Sequence, residues 1–256
     1  MISYKKIIIF FLFSFYFLIG SYFSLTNGIT SDESFEQLNW VENINGIKNL
    51  FINGNYDEFL KYQDKYHGIA FHYLSQPIQL FLYKFTSYLN NSTEYAGHLM
   101  SKHIVVFSLF FFSSLFFYKL IFKITKNKLF SALSITVYLL YPYLFGHSMF
   151  NMKDIPFLSI WIITTYVSLK IIENIFLDKK IYYKELIILA FLSSFLISIR
   201  ILGFVIFFQF LISLIIFFNF KNINLIYFFK QFYKQLLIFL LCLSIFIYIL
   251  NPIFWL

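Results

Sequence analysis

The stretch from Leu186 to Phe218 reads LIILAFLSSFLISIRILGFVIFFQFLISLIIFF and contains one charged residue, Arg200. As a single helix it would be about 50 Å long, well beyond the roughly 30 Å hydrocarbon core of a bilayer. Two shorter spans that meet at Arg200 would place this arginine at a membrane surface and avoid the cost of several kcal/mol for a charge at the bilayer centre. The stretch therefore predicts two membrane-spanning helices within a polytopic, all-α integral membrane protein.

The composition of the whole chain favours the same class. Of the 256 residues, 60% are hydrophobic and 12% are charged, and the mean hydropathy is +0.74. Soluble domains carry about 25% charged residues, so a soluble globular protein is excluded. The net charge of +8 does not indicate nucleic-acid binding, because the lysines lie in short loops between apolar runs. A single cysteine, Cys242, excludes a disulfide framework and a cysteine-based metal site.

Seven apolar runs are expected to cross the membrane, within one transmembrane domain that covers residues 1–256. The runs lie at about 7–25, 104–122, 129–145, 157–172, 186–199, 201–218 and 236–250. Residues 26–99 form a long first loop, in which 68–74 and 77–83 are too short to span and are predicted to be interfacial helices. With the N-terminus in the cytoplasm, most of the 20 basic residues fall inside and most of the 12 acidic residues fall outside.

Two carboxylates, Asp32 and Glu33, follow the first span directly. A carboxylate at the membrane surface can act as a general base on a hydroxyl or amine acceptor while a lipid-linked donor lies in the bilayer. The same residues also suit the start of a helix, with Ser31 or Asp32 as the cap and Glu33 in the first turn. The sequence leaves both interpretations open, and they are compatible.

A second polar segment, HSMFNMKDIPF at residues His147–Phe157, joins the third and fourth predicted spans on the same outer face. It places His147, Asn151, Lys153 and Asp154 between two apolar runs. A lysine beside a helix N-terminus suits the binding of a phosphate group. The alternative is a polar loop in which Asp154 caps the next helix.

Two further cations on that face are candidates for phosphate binding. Arg200 can pair with a phosphate or pyrophosphate, and it can equally reach ordinary lipid headgroups. Lys102 shares one helical face with Glu94 and His98 by its spacing, which favours an ordinary polar face at the membrane interface, with a phosphate contact of Lys102 as the alternative. His98 and His103 lie five residues apart, which is not the spacing of a helical metal-ligand pair, so the sequence predicts no metal site.

The Asp32-Glu33 pair and the long first loop resemble the C-type (GT-C) membrane glycosyltransferases. The chain is most similar to family 39, the branch of protein O-mannosyltransferases and aminoarabinose transferases. Residues Asn151–Phe157, NMKDIPF, resemble the N-P-K-D-x-P-F stretch of bacterial members, with methionine in place of the proline. The segments 200–203 and 251–255 are also similar to those members. The resemblance covers the whole chain but only the amino-terminal half of a typical member.

The resemblance implies inverting transfer of a sugar from a polyprenyl-phosphate donor to an unidentified acceptor, at the outer (periplasmic) face of a bacterial inner or plasma membrane. Asp32 would activate the acceptor, and Glu33 would support it or contact the acceptor. Cations aimed at the departing lipid phosphate would lower the barrier. No cofactor is assigned; some members of the superfamily use a divalent metal. The residues expected to bind the substrate or its lipid phosphate are Lys102, His147, Asn151, Lys153, Asp154 and Arg200.

Two other functions are compatible with the sequence. Family members usually continue with further spans, so this chain is expected to lack their carboxyl-terminal half. That expectation leaves open a non-catalytic or truncated relative that binds lipid phosphates or a partner subunit. A transporter is less favoured, because the polar groups gather at one surface rather than at mid-membrane. The sequence contains no P-loop or dinucleotide fingerprint to indicate a nucleotide-dependent reaction.

Overall fold

A computed structural model describes residues 4–177, 180–221 and 225–255 of the chain. Within these residues the secondary structure is entirely helical. The α-helices are α1 (Tyr4–Thr26), α2 (Ser31–Asn53), α3 (Asp57–Lys61), α4 (Ala70–Leu89), α5 (Glu94–Met100), α6 (His103–Thr125), α7 (Lys128–Leu140), α8 (Pro142–Ser148), α9 (Asp154–Leu177), α10 (Tyr183–Ile199), α11 (Val205–Lys221) and α12 (Leu225–Leu250). Short 3₁₀ helices cover Ile201–Phe204 and Pro252–Phe254.

Five helical segments of the described residues are long and apolar enough to cross a membrane, and a sixth arises if α7 and α8 are counted as one bent span. The five segments are Ile7–Thr26, Glu94–Thr125, Asp154–Leu177, Ile201–Phe220 and Lys230–Leu250. The chain is thus an all-α protein with the long apolar helices of a membrane protein. The sequence predicts seven spans, and α10 accounts for part of the difference. Its 17 residues give a length of about 26 Å, which is shorter than the hydrocarbon core of a bilayer.

The third predicted span is not one straight helix. The axes of α7 and α8 differ by 57°, and the break falls at Tyr141. Tyr141 precedes a proline and has an extended backbone, with φ −62° and ψ 117°. Proline disfavours the helical conformation of the residue before it and is itself well suited to the first position of a helix. Pro142 therefore ends α7 and begins α8.

The long apolar stretch breaks at Arg200, as its length predicts. Arg200 is extended, with φ −146° and ψ 136°, between the end of α10 and the following 3₁₀ turn. Within that turn, a Cβ atom added to Gly203 would lie 2.5 Å from the backbone of Leu196 and Ile197. Since backbone atoms cannot move aside cheaply, the turn requires glycine at this position.

The first loop contains more helix than its sequence predicts. α2 alone has 23 residues, and α4 has 20. The two short segments expected at 68–74 and 77–83 lie largely within the single helix α4, which contains Pro77. The proline that separates them in sequence does not end the helix.

The helices form two compact units. The first comprises the residues up to Leu38 together with Phe71–Ser159. In it, α6 packs against α1 and α7. Phe107 and Phe110 of α6 are fully buried, and the ring of Phe111 lies 4.9 Å from that of Phe17. Aromatic side chains thus fill the core of this unit.

The second unit comprises Asn39–Ala70 and the residues from Ile160 onward. In it, α10 packs against α12. Its core is built from aliphatic and phenylalanine side chains of α9, α10, α11 and α12. The buried members are Ile171, Ile172, Ile175, Leu186, Leu189, Leu214, Phe218 and Phe232.

Candidate functional site

Asp32 and Glu33 both lie in the first turn of α2, but their environments differ. Glu33 Oε1 accepts hydrogen bonds from the backbone N–H and the hydroxyl of Thr30, at 2.8 and 3.0 Å. A glutamate that bonds back to the residue before its helix is half of a capping box. Thr30, rather than Ser31 or Asp32, therefore precedes the helix as its cap. Asp32 is exposed, and its carboxylate accepts a long hydrogen bond, 3.4 Å, from the Ser31 hydroxyl.

The second carboxylate oxygen of Glu33 is buried against His103. Glu33 Oε2 lies 2.8 Å from His103 Nε2, and the two side chains are 2% and 0% exposed. The other ring nitrogen, Nδ1, lies 3.0 Å from the carbonyl oxygen of Ser24. Because a carbonyl only accepts, Nδ1 carries a proton, and the contact between Nε2 and Oε2 needs a second proton between them. The pair holds the start of α2 to α6 and to α1.

A third carboxylate, Glu36, lies one helical turn beyond Asp32. Residues four apart on a helix share a face, so Asp32 and Glu36 are neighbours on the surface of α2. Glu36 Oε1 forms an ion pair with Lys153 Nζ, and the side chains are 8% and 25% exposed. The same ammonium group lies 5.9 Å from the centre of the Phe35 ring. The segment between α8 and α9 is thereby joined to the first two turns of α2.

Glu36 also faces His72 of α4. Glu36 Oε2 lies 4.0 Å from His72 Nε2, and both groups are buried. Burial on its own would raise the pKa of Glu36, but the interactions with His72 and Lys153 outweigh it and hold the pKa below its ordinary value. Glu36 is therefore an ionised carboxylate whose charge is already compensated, and such a group is a weak base.

The tautomer of His72 is set by Lys102. Lys102 is fully buried, and its Nζ donates to His72 Nδ1 at 2.9 Å and to Gln37 Oε1 at 2.5 Å. When Lys102 is protonated it can only donate, so Nδ1 then accepts, and the ring proton of neutral His72 lies on Nε2, which faces Glu36. Burial, together with the charges of Lys102 and Lys153, lowers the pKa of His72 to about 4. At neutral pH the ring is uncharged.

Gln79 extends this network along α4. Its Nε2 donates to Gln37 Oε1 at 3.2 Å and to the backbone carbonyl of His98 at 2.8 Å. The Gln37 oxygen thus receives bonds from both Lys102 and Gln79. The result is a buried hydrogen-bonded network that connects α5 and α4 to Glu36. It ends at Lys153, the more exposed of its two lysines.

The 147–154 segment is organised by Asn151. Its Oδ1 accepts the backbone N–H groups of Lys153 and Asp154 at 3.1 and 2.7 Å, which caps the start of α9. Its Nδ2 lies 3.1 Å from His147 Nδ1 and 3.1 Å from Asp154 Oδ2. The residue that caps α9 is therefore Asn151 and not Asp154. His147, Asn151 and Asp154 form one hydrogen-bonded group, while the Lys153 side chain turns to Glu36.

The described residues thus bring together most of the residues singled out from the sequence. Asp32, Glu33, Lys102, His147, Asn151, Lys153 and Asp154 all belong to the first unit. Arg200 belongs to the second unit, where its backbone N–H bonds to Leu196 and its carbonyl accepts the N–H of Gly203. Its predicted contact with a lipid phosphate stays a prediction.

The sequence did not single out Glu36 or His72, which connect these parts. One signal was available for Glu36, because it follows Asp32 by four residues and so lies on the same helical face. His72 carries no comparable signal. Its partners Glu36 and Lys102 are 36 and 30 positions away in the chain, and only the tertiary fold brings them to it.

A metal ion does not fit the side chains of this site. Among the described residues, no group of three or more histidine, cysteine, aspartate or glutamate side chains is placed to hold one. Glu36 is occupied by Lys153 and His72, and Glu33 by His103. His98 stacks on Tyr83, with ring centres 4.0 Å apart. No chemical step is therefore assigned to a resident metal.

No protein-family model matches this chain, and no curated protein or solved structure matches it significantly either. The site presents an exposed carboxylate, Asp32, one helical turn before Glu36, whose buried side chain pairs with the partly exposed ammonium group of Lys153. That combination suits the removal of a proton from one molecule and the binding of an anionic group of another.

Proposed function

We propose that this chain is a glycosyltransferase that moves a sugar from a polyprenyl-phosphate donor to an acceptor, with inversion at the anomeric carbon. The observation that carries the proposal is the ion pair between Glu36 and Lys153. Through it, the cation of the 147–154 segment lies near the first turn of α2, which bears Asp32. A general base and a phosphate-binding cation are the two groups that this transfer requires.

In the proposed reaction, Asp32 takes the proton of the acceptor hydroxyl or amine. The acceptor atom then attacks the anomeric carbon from the side opposite the phosphate, and the bond from that carbon to the phosphate oxygen breaks. The bonding electrons leave with the lipid phosphate, whose growing charge Lys153 stabilises. Asp32 suits the role of base because it is exposed, whereas Glu33 and Glu36 are buried and already paired.

The other candidates have supporting roles in this proposal. Lys102 has no exposed surface, and its Nζ contacts His72 Nδ1, on the ring edge opposite the one that faces Glu36. We therefore propose that Lys102 supports Glu36 through His72 and does not contact the phosphate directly. His147, Asn151 and Asp154 fix the shape of the segment that carries Lys153. Arg200 is proposed as a second phosphate contact on the basis of its guanidinium chemistry and of the family resemblance.

The membrane arrangement proposed with this function has seven spans. It adds α10 and the bent pair α7–α8 to the five long apolar helices. The N-terminus lies in the cytoplasm, and Asp32 and Lys153 face the outer side of a bacterial inner or plasma membrane. Nucleotide sugars are generally absent from that side, which is why a lipid-linked donor is the natural substrate.

Donor turnover tests the proposal without knowledge of the acceptor. The purified full chain in proteoliposomes would be supplied with undecaprenyl-phosphate-linked mannose, glucose or aminoarabinose and a total membrane extract as the acceptor source. Release of undecaprenyl phosphate is expected from at least one donor. Donor binding without any release would instead favour a non-catalytic relative that binds lipid phosphates, and neither binding nor release would contradict both functions.

Lys153→Met is the informative variant in this assay, and Lys48→Met is its matched control. Lys48 is an exposed lysine of α2. Loss of one charged group that stabilises a departing anion typically lowers turnover by about 100- to 1,000-fold. We therefore expect Lys153→Met to lose donor turnover by about that factor and Lys48→Met to retain it.

A further inference from the structure

A small polar cleft lies in the second unit, between the carboxyl-terminal end of α2 and the short helix α3. Its volume is about 170 Å³. It is distinct from the residues of the first unit that form the candidate transferase site. The lining residues are Gly46, Asn49, Asn53, Asn55, Tyr56, Glu58 and Phe59.

The cleft lies beside a close approach of α2 and α3. At this close approach, a Cβ atom added to Gly46 would lie 2.8 Å from Phe59 Cβ and Cγ, so glycine lets the buried ring of Phe59 pack against α2. The chain reverses through Gly54, whose φ of +62° is readily adopted only by glycine. Tyr56 is 4% exposed, and its hydroxyl donates to the carbonyl of Pro252 at 2.8 Å. Two buried aromatic residues therefore support the cleft.

The groups that face this space are amides and one carboxylate. Asn49 and Asn53 are four residues apart on α2 and so share a face. Asn49 Nδ2 donates to Glu58 Oε2 at 3.3 Å, which links α2 to α3. Asn55 Oδ1 accepts the backbone N–H of Asp57 at 2.7 Å. Each amide has both an acceptor oxygen and two donor hydrogens, so the three asparagines keep further hydrogen-bonding capacity of both kinds.

We propose that this cleft binds a single neutral sugar ring. Vicinal hydroxyl groups both donate and accept, which matches side-chain amides beside a carboxylate, and the volume suits one hexose. Among the described residues that line the cleft, none is a lysine, arginine or histidine, so these side chains offer no positive charge to an anion. Glu58 is the one carboxylate among them. Divalent cations are usually held by several oxygen ligands that include carboxylates, so a lining with a single carboxylate does not favour such a cation. The proposal does not depend on the transferase function.

Saturation-transfer NMR on the full chain in nanodiscs tests the proposal. The probes are the methyl glycosides of glucose, mannose, galactose and N-acetylglucosamine. At least one is expected to show saturation transfer. The double variant Asn49→Ala with Asn53→Ala, which removes two hydrogen-bonding side chains, should weaken that binding about tenfold. Asn45→Ala, at an exposed position of the same helix that does not line the cleft, should leave the binding unchanged.

Asn53→Ala alone is the second test variant, in case the double variant does not fold, because Asn53 is exposed at the end of α2. It should weaken binding about threefold. The proposal is overturned if none of the four glycosides shows saturation transfer, or if the Asn49 and Asn53 variants bind as the wild type does. Binding of calcium chloride that Glu58→Gln abolishes, without any glycoside signal, would identify a cation site instead and would also overturn it.

Discussion

Asp32 and Glu33 are adjacent in sequence and of the same chemical type, yet their surroundings give them different roles. Glu33 is fixed by Thr30 and His103 and is closed off from solvent, whereas Asp32 is exposed. Glu36, one helical turn after Asp32, has a third environment, between the ammonium group of Lys153 and the neutral imidazole of His72. A pair of carboxylates in the sequence therefore does not identify which of them is available as a base. That depends on the groups that each carboxylate contacts in the fold.

The buried His72 predicts a dependence of stability on pH. Its pKa of about 4 lies below that of an exposed histidine, so the unfolded chain binds more protons than the folded one between about pH 4 and pH 6.5. The stability that this difference provides is complete above about pH 6.5 and falls as the pH drops towards 4, by about 3 kcal/mol. The lowered pKa of Glu36 acts in the same direction at lower pH, because that ionised carboxylate must be protonated.

Thermal unfolding in detergent between pH 7.5 and pH 4.5 measures this effect. The charged groups that face His72 are Glu36, Lys102 and Lys153. We expect the unfolding temperature of the wild type to fall more over this range than that of His72→Gln, which has no titrating ring. Parallel pH profiles for the two proteins would show that His72 is not buried as a neutral ring.

Removal of the Lys153 charge should destabilise the fold through Glu36. Lys153→Met leaves a buried carboxylate without its main partner, at an expected cost of about 1–3 kcal/mol. The double variant Glu36→Gln with Lys153→Met removes both charges and should recover part of that loss. A double-mutant cycle of unfolding free energies checks the coupling. Additive effects of the two substitutions would mean that the ion pair contributes nothing to stability.

At the scale of elements, the start of α2 depends on the Glu33–His103 pair. Glu33→Gln breaks a buried, proton-sharing pair and is expected to cost about 3 kcal/mol or more. Asp32→Asn, one residue earlier and exposed, should change stability by less than about 0.5 kcal/mol. The two unfolding temperatures, measured side by side, check this contrast. Equal effects of the two substitutions would argue against a buried Glu33.

The turn between α10 and α11 gives a second prediction at this scale. A side chain at position 203 would meet backbone atoms of Leu196 and Ile197 at 2.5 Å. Gly203→Val should therefore displace the turn and lower the unfolding temperature by several degrees, whereas Leu202→Val, at an exposed neighbour, should have little effect. A Gly203→Val protein as stable as the wild type would show that the helices meet in another way.

The sequence predicts the helices better than it predicts where they break or continue. The break at Arg200 follows from bilayer thickness and the length of the apolar stretch. Pro142 marks the bend at Tyr141, but the residues on both sides are apolar. A hydropathy pattern therefore predicts one continuous span, because hydropathy carries no information about the direction of the helix axis. Pro77 shows the opposite case, since α4 continues through it despite the lost N–H. Proline fixes a local preference, and tertiary packing decides whether the helix ends.

The residues of the candidate site also fall into those that the sequence predicts and those that it does not. Asp32, Glu33 and the 147–154 segment can be found from local pattern, because capping residues and clustered polar groups stand out against apolar runs. The ion pair of Glu36 with Lys153 and the contacts of His72 with Lys102 and Glu36 cannot be found in this way. They join residues from distant parts of the chain, and a local pattern carries no information about such pairs.

At the scale of the whole molecule, the proposed orientation places Ser31 and Lys126 on opposite sides of the membrane. Cys242 is the only cysteine, so Cys242→Ser provides a background for single introduced thiols. In intact cells, Ser31→Cys should react with a membrane-impermeant maleimide, and Lys126→Cys should react only after the membrane is opened. The reverse pattern would place Asp32 in the cytoplasm and contradict an outward-facing site.

The release of undecaprenyl phosphate by the wild type and by Asp32→Asn tests the central claim most directly. Loss of a general base lowers turnover by about 100- to 10,000-fold, while the neutral amide leaves the fold and donor binding in place. The account predicts donor turnover by the wild type, a loss of that size in Asp32→Asn, and equal donor binding by both. Undiminished release by Asp32→Asn would contradict it.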